Sequence, residues 1–308
     1  MASTESALQR ITNRFATAAL NFGLTISLSK TEVLFQPPPA QPHSDPSINI
    51  YGGRIKSVKQ FTYLGSTLNA EANIDNEVCN RINKAASAFG RLHDRVWKPH
   101  DIQLGTKVKV YNAVVLSTLL YGCETWTCYS RHVRQMEHFH MKHLRYLMGI
   151  RWQDKVSNLR VLELTGSSSI HSWLIRSQMR WTGHIIRMPQ SRMPFQLLYG
   201  ELSEGKRNRG GQRKRFKDTL KANMKKCAIH SERLEQLASD RNDWRSSISS
   251  GIAFLENQAI TEYQARKDRR AAVLLPAQPS ETFKCDICGQ PCRSRIGLWS
   301  HKSARHRP

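Results

Sequence analysis

Apolar side chains recur at steps of three and four along most of this chain, and shorter alternating or β-branched runs are confined to its first seventy residues. Leu8, Ile11, Phe15, Ala19 and Phe22 mark one face of a helix over residues 5–22. Leu24–Leu28 and Thr31–Phe35, parted by Ser29-Lys30, predict two short strands. The Pro-rich stretch 37–46 connects them to a hairpin made of Ile48–Tyr51, a Gly52-Gly53 turn and Arg54–Val58. Phe61–Leu64 is a further extended segment ending at Gly65. From residue 74 the period turns helical. Ile74, Val78, Ile82, Phe89, Leu92 and Val96 form a stripe with Asp75 as its cap. Asp101 opens a second helix through Val108, Tyr111, Val115 and Leu119 that stops near Gly122. Further helices are predicted at 130–149, 156–164, 168–187, 231–248 and 252–275, with no internal repeat. The pattern divides into an N-terminal region 1–70, a helical region 71–275, a linker 276–282 and a tail 283–308. The fold class is mainly α, with a small α+β region at the N-terminus and a ββα unit at the C-terminus.

Charge adds a partner class to this picture. The 308 residues carry 47 Lys and Arg against 24 acids, a formal charge of +23. The excess is spread along the chain: residues 1–199 hold 24 basic and 12 acidic side chains, and 200–308 hold 23 and 12. A polyanion, most simply RNA or DNA bound without sequence preference, is the expected partner; the alternatives are an anionic membrane surface and a merely solvated basic exterior. The densest run lies in residues 205–217, with Lys206, Arg207, Arg209, Arg213, Lys214, Arg215 and Lys217 among three glycines. It reads as an exposed loop entering a helix, suited to phosphate contacts or to nuclear import, and a nuclear location is expected. No apolar run reaches the ~18 residues that a bilayer span needs, and MASTESALQR has no signal-peptide pattern. The seven cysteines are an odd number, with three of them clustered at 285–292, which suits metal binding in a reducing compartment better than disulfides.

The tail carries the most specific chemistry. Cys285, Cys288, His301 and His306 have the spacing C-x2-C-x12-H-x4-H, that of a C2H2 zinc finger. Two thiolates from a hairpin and two imidazoles from successive turns of one helix can reach a tetrahedral ion, and zinc is the expected cofactor. Phe283 and Leu298 supply the small core. The position four after the second cysteine, where such fingers usually hold an aromatic, is Cys292, a thiolate that can compete for the ion. The base-facing positions of the finger helix fall on Ser294, Gly297 and Ser300, which lack the bidentate groups that read bases. Arg293 and Arg295, with other cations of the tail, can still meet phosphates.

Phe22–Phe35 (FGLTISLSKTEVLF) resembles the end of the palm domain in reverse transcriptases of non-LTR retrotransposons, with Lys30 at the motif D lysine. FTYLGSTL (61–68) resembles their primer-grip hairpin, with Phe61 to Gly65 along the primer backbone. LLYGCETW (119–126), LMGIRW (147–152), RWTGHIIRM (180–188) and GQRKRFKDTL (211–220) resemble the thumb and helical C-terminal region, which in that family often ends in a Cys/His finger. The resemblance implies a palm remnant, a helical thumb and connector, and a finger. The polymerase requires an adjacent Asp pair to hold its Mg²⁺ ions, and no Asp-Asp occurs here. The chain is therefore expected to start after the catalytic loop and to be no enzyme by itself. Two other readings remain: a domesticated scaffold that binds a protein through its helices, or a truncated gene model of an active polymerase. A second metal group from His138, His140, His143, Cys123 and Cys128 is a further candidate, opposed by the diverging directions of a His-x-His pair on a helix. The Trp- and Met-bearing stripe at 173–188 reads as helix packing.

Overall fold

The fold is taken from a computed structural model that describes residues 2, 4–37, 45–200, 214–274, 283–292 and 294–306. Within them the protein is mainly helical, with four two-stranded sheets, the last of which joins a helix in a terminal unit. The chain divides into two compact units, residues 1–254 and 255–308.

Helix α1 (Glu5–Asn21) opens on Thr4, whose Oγ1 accepts the Ala7 N–H at 3.2 Å. Its expected apolar face is a core face only in part: Leu8 packs against the small cluster that Ala16 joins, and Ala19 is half-buried. Only Ala16 is buried, and Ile11, Phe15 and Phe22 are exposed. Ala16 joins Val33, Ile48, Ile50 and Ile55 in a small cluster beneath four two-residue strands, β1 (Glu32–Val33), β2 (Asn49–Ile50), β3 (Gly53–Arg54) and β4 (Lys56–Ser57). β1 pairs parallel with β4, and β2 antiparallel with β3. The strand expected at Leu24–Leu28 does not form, because that run has no strand beside it to complete a ladder. Leu28 instead lies over Gly53, where an added Cβ would stand 2.7 Å from Leu28 Cδ1. The expected Gly52-Gly53 turn is shifted by one residue. Tyr51 and Gly52 both take positive φ, 50° and 80°, the conformation of a type I′ hairpin turn, which leaves Gly53 in β3.

The segment ending at Gly65 is one arm of a second hairpin, β5 (Gln60–Tyr63) with β6 (Ser66–Asn69), in register Phe61↔Leu68. Its Leu64-Gly65 turn repeats the same positive-φ pair. A buried ion pair fixes this hairpin on α2 (Asp75–Arg91). Glu77 Oε1 accepts from Arg81 Nε at 2.7 Å, while Glu77 Oε2 accepts the Thr67 N–H at 2.6 Å. Arg81 in turn donates to the Gly65 carbonyl and lies 4.4 Å from the Tyr121 ring centroid. Both carboxylate oxygens of Glu77 and two guanidinium nitrogens of Arg81 thus have partners, the support that such burial requires.

The stripe read from α2 is sound: Val78, Ala85 and Phe89 are buried, and Ile82, Leu92 and Val96 pack beside them. The cap is different. Ile74 occupies the N-cap without a side-chain bond, and Asp75 accepts from Arg131 at 2.8 Å and lies 2.8 Å from His132 Nε2. The hydrogen bond from His132, followed by Arg131, holds the Asp75 carboxyl below its ordinary range against the opposing effect of burial. Asp101 likewise does not cap. α3 (Leu104–Val110) begins after Gln103, widens into a π-turn over Tyr111–Leu116 and ends in α4 (Ser117–Leu119) before Gly122 at φ 76°.

Around this core pack α5 (Ser130–Leu147), α6 (Asn158–Thr165) and α7 (Ile170–Ile186). Two short helices, α8 (Met193–Tyr199) and α9 (Phe216–Lys226), lie on either side of the basic run. The last helices differ from expectation. α10 (Leu234–Ser239) stops at Asp240, whose Oδ1 accepts the Asn242 and Asp243 N–H groups, and α11 (Arg241–Leu274) then runs without a break through Gly251. Gly251 is there for contact, since a Cβ would come 2.7 Å from Cys227 Cβ. The 173–188 stripe is helix packing, as its periodicity implied. Met179 is buried, its carbonyl accepts from Trp244 Nε1 at 2.8 Å, and Gly183 lies against the same indole. A Cβ at Gly183 would lie 2.3 Å from the ring.

Gly183→Ala should therefore lower stability by about 1–3 kcal/mol through overpacking. In urea unfolding followed by tryptophan fluorescence, the midpoint should fall with an unchanged slope.

Candidate metal centre

The terminal unit is built from β7 (Phe283–Lys284), β8 (Pro291–Cys292) and α12 (Arg295–Arg305). The strands pair antiparallel with Phe283 opposite Cys292. The Cys285 N–H donates to the Gln290 carbonyl at 3.0 Å, the Gly289 N–H donates to the Cys285 carbonyl at 2.8 Å, and Gly289 turns at φ 74°. This turn brings Cys285 and Cys288 to one side. Ser294 caps α12 by accepting the Gly297 N–H at 3.0 Å, and the helix presents His301 toward the turn, with His306 at its C-cap.

One ligand atom each from Cys285, Cys288, His301 and His306 lies within 4.8 Å of all the others. Cys288 Sγ is 3.1 Å from His301 Nε2, and the two imidazole centroids are 5.2 Å apart. His306 Nε2 is buried with no hydrogen-bond partner. Cys285 is 2% exposed. Burial raises its thiol, but the N–H groups of Cys288 and Ile287, with the Cys288 side chain, outweigh that and hold it below its ordinary value. An orphaned imidazole nitrogen and a thiol biased toward thiolate fit a cation at the centre of the four, so this Cys2His2 group can hold a metal ion. Lys302 of α12 pairs with Asp286 between the two cysteines, a second tie between helix and turn that depresses the Asp286 carboxyl and raises Lys302.

Cys292 is not brought into the group. It sits on β8 with its Sγ 3.9 Å from the Gln290 carbonyl. Phe283 and Leu298 are half-buried as a small core, while Ile296 and Trp299, which the spacing argument did not single out, are exposed. The second candidate group does not assemble, and among the described residues no other metal-sized cluster occurs. His138 is exposed, and His143 Nδ1 lies 2.7 Å from the Phe139 carbonyl of its own helix. Burial pushes the Cys123 and Cys128 thiols up to about 11 and about 12, away from the thiolate form. His140 is fully buried, 3.0 Å from Tyr111 Oη, and burial pushes its imidazole down to about 4.

Of the expected phosphate contacts, Lys206, Arg207, Arg209, Arg213 and Arg293 lie outside the described residues. Lys214 places its Nζ 5.1 Å from the Tyr129 ring centroid, and Lys217 donates to the Gly200 carbonyl at 2.9 Å. Arg215 pairs with Asp218 at 2.9 Å, and Arg295 is exposed on the first turn of α12. Among the described residues no helix is long and apolar enough to cross a membrane.

Over 238 residues the chain is 24% identical to a putative uncharacterized transposon-derived protein of Caenorhabditis elegans, an alignment covering 73% of this chain and 83% of that protein. No family model matches the chain, and no solved structure matches it.

The buried His140 sets a pH dependence. Its folded-state pKa is below the ordinary 6.5, so the unfolded chain binds the extra proton between these values and stability falls as pH drops through that window. Acidification from pH 7 to pH 5 should cost about 2 kcal/mol from this group. Urea titrations at the two pH values should show a smaller difference for His140→Gln.

Proposed function

We propose that this protein is a zinc-holding, nucleic-acid-binding remnant of a non-LTR retrotransposon reverse transcriptase, without polymerase activity of its own. The observation that carries the reading is the convergence of Cys285, Cys288, His301 and His306 in a chain similar to a transposon-derived protein. The ion would be Zn²⁺, bound by two thiolates and two imidazoles, and would serve to pin α12 onto the β7–β8 turn. Several features support the rest. FTYLGSTL forms a hairpin, β5–β6, with Tyr63 and Leu64 exposed at its tip, as a primer-grip element requires. The phrases that resemble the family follow one another in its order over most of the chain. The formal charge of +23 suits a polyanion, and the chain contains no Asp-Asp pair to hold catalytic Mg²⁺.

Purified chain should carry about one equivalent of zinc by metal analysis. Cys285→Ser should abolish its retention, whereas Cys292→Ser should leave it intact. Zinc content unaffected by Cys285→Ser removes the assignment.

Affinity for RNA or DNA should fall steeply between low and physiological salt, with little dependence on sequence. A salt-independent affinity, or primer extension with Mg²⁺ or Mn²⁺, overturns the reading. Binding to a protein partner with no nucleic-acid affinity would favour the scaffold instead.

A further inference from the structure

The finger helix carries an aromatic ridge that neither the metal centre nor the finger's core uses. Ile296 is 79% exposed and Trp299 71% exposed, and their spacing of three places them side by side on α12. Phe283 and Leu298 already fill the small core, so the Trp299 ring is not required there. Arg295, Leu298 and Lys302 join the two exposed side chains around a shallow groove of about 440 Å³. The electrostatic setting is one-sided. Residues 283–306 hold five Lys and Arg against a single carboxylate, Asp286, and that carboxylate is already paired with Lys302. Among residues 283–306 no unpaired carboxylate stands to repel a phosphate.

The same helix is poorly made for reading a duplex. Ser294 spends its hydroxyl on the Gly297 N–H, and Gly297 offers no side chain. An exposed indole supplies instead a flat face for stacking. Bases within a duplex have both faces covered by their neighbours, and only an unpaired base can meet it. We infer that the outer face of α12 is a binding platform for single-stranded nucleic acid, on which one unpaired base stacks on Trp299 beside Ile296 while Arg295 contacts the adjacent phosphate. This inference rests on the nucleic-acid reading above and names the strand form and the residue that selects it.

The test uses the full zinc-loaded chain and a short mixed-sequence oligonucleotide, as single-stranded RNA, single-stranded DNA and the corresponding duplex, with affinity measured by fluorescence anisotropy at one salt concentration. Trp299→Ala should weaken single-strand binding about ten-fold and duplex binding less than about two-fold. Trp299→Phe should restore most of the single-strand affinity, and both variants should keep the zinc content of the parent chain. Equal losses on single strand and duplex, or no loss on either, overturn the platform while leaving nucleic-acid binding in place. Loss of zinc in both variants assigns Trp299 to the finger's own structure and overturns it too. A parent chain that binds none of the three oligonucleotides removes the underlying reading together with this one. A Trp299→Ala variant that changes only sedimentation makes the ridge a contact between copies of the chain.

Discussion

Two cysteine sulfurs and two imidazoles crowded within 4.8 Å of one another, one of them an unpartnered buried nitrogen, are a costly arrangement unless a cation draws them together. The terminal unit has little else to hold it. Its strands are two residues each, its core is two half-buried side chains, and none of α12 is buried. In a unit this small, metal binding and folding are one process. An ion held by the four side chains would tie α12 to the β7–β8 turn, so that Ile296 and Trp299, which stand in solvent, would not be needed for packing.

The larger unit is held by another kind of constraint. Its core of Val78, Phe89, Tyr111, Val115, Leu119, Met136 and Leu144 comes from helices whose stripes face one another. Polar side chains set how the pieces dock. Glu77 and Arg81 fasten the β5–β6 hairpin to α2, and Asp75 ties the start of α2 to Arg131 and His132 on α5. Each is supported by several hydrogen bonds, which offsets the cost of removing charge from water. At the N-terminus the ties are neutral or exposed: Gln9 exchanges hydrogen bonds with the Asn49 backbone, and Glu5 accepts the Ser47 N–H. The strands β1 to β4 pair over only two residues each, and α1 leaves Ile11, Phe15 and Phe22 exposed.

Much of the helical layout was legible from spacing alone. α2, α5, α6 and α7 fall where the three-and-four periodicity placed them, because a helix facing one core writes that period directly into its sequence; α1 falls there too, although most of its apolar stripe is in solvent. The misreadings share a cause. The helices expected at 231–248 and 252–275 join through Gly251, and Asp75 and Asp101 do not cap although aspartate favours that role locally. Their actual roles depend on partners far along the chain, Cys227 for Gly251 and α5 for Asp75. Leu24–Leu28 had the composition of a strand but no neighbour to bond with.

Local spacing and composition suffice for the four candidate metal-ligand positions, the main helices and the basic charge. Only the packing of the folded chain leaves Cys292 outside the group of four, seals His140 beside Tyr111, gives Trp244 its room at Gly183 and turns Trp299 outward. These depend on which side chains the fold brings together across long stretches of chain, and such encounters leave no periodic mark in a single sequence.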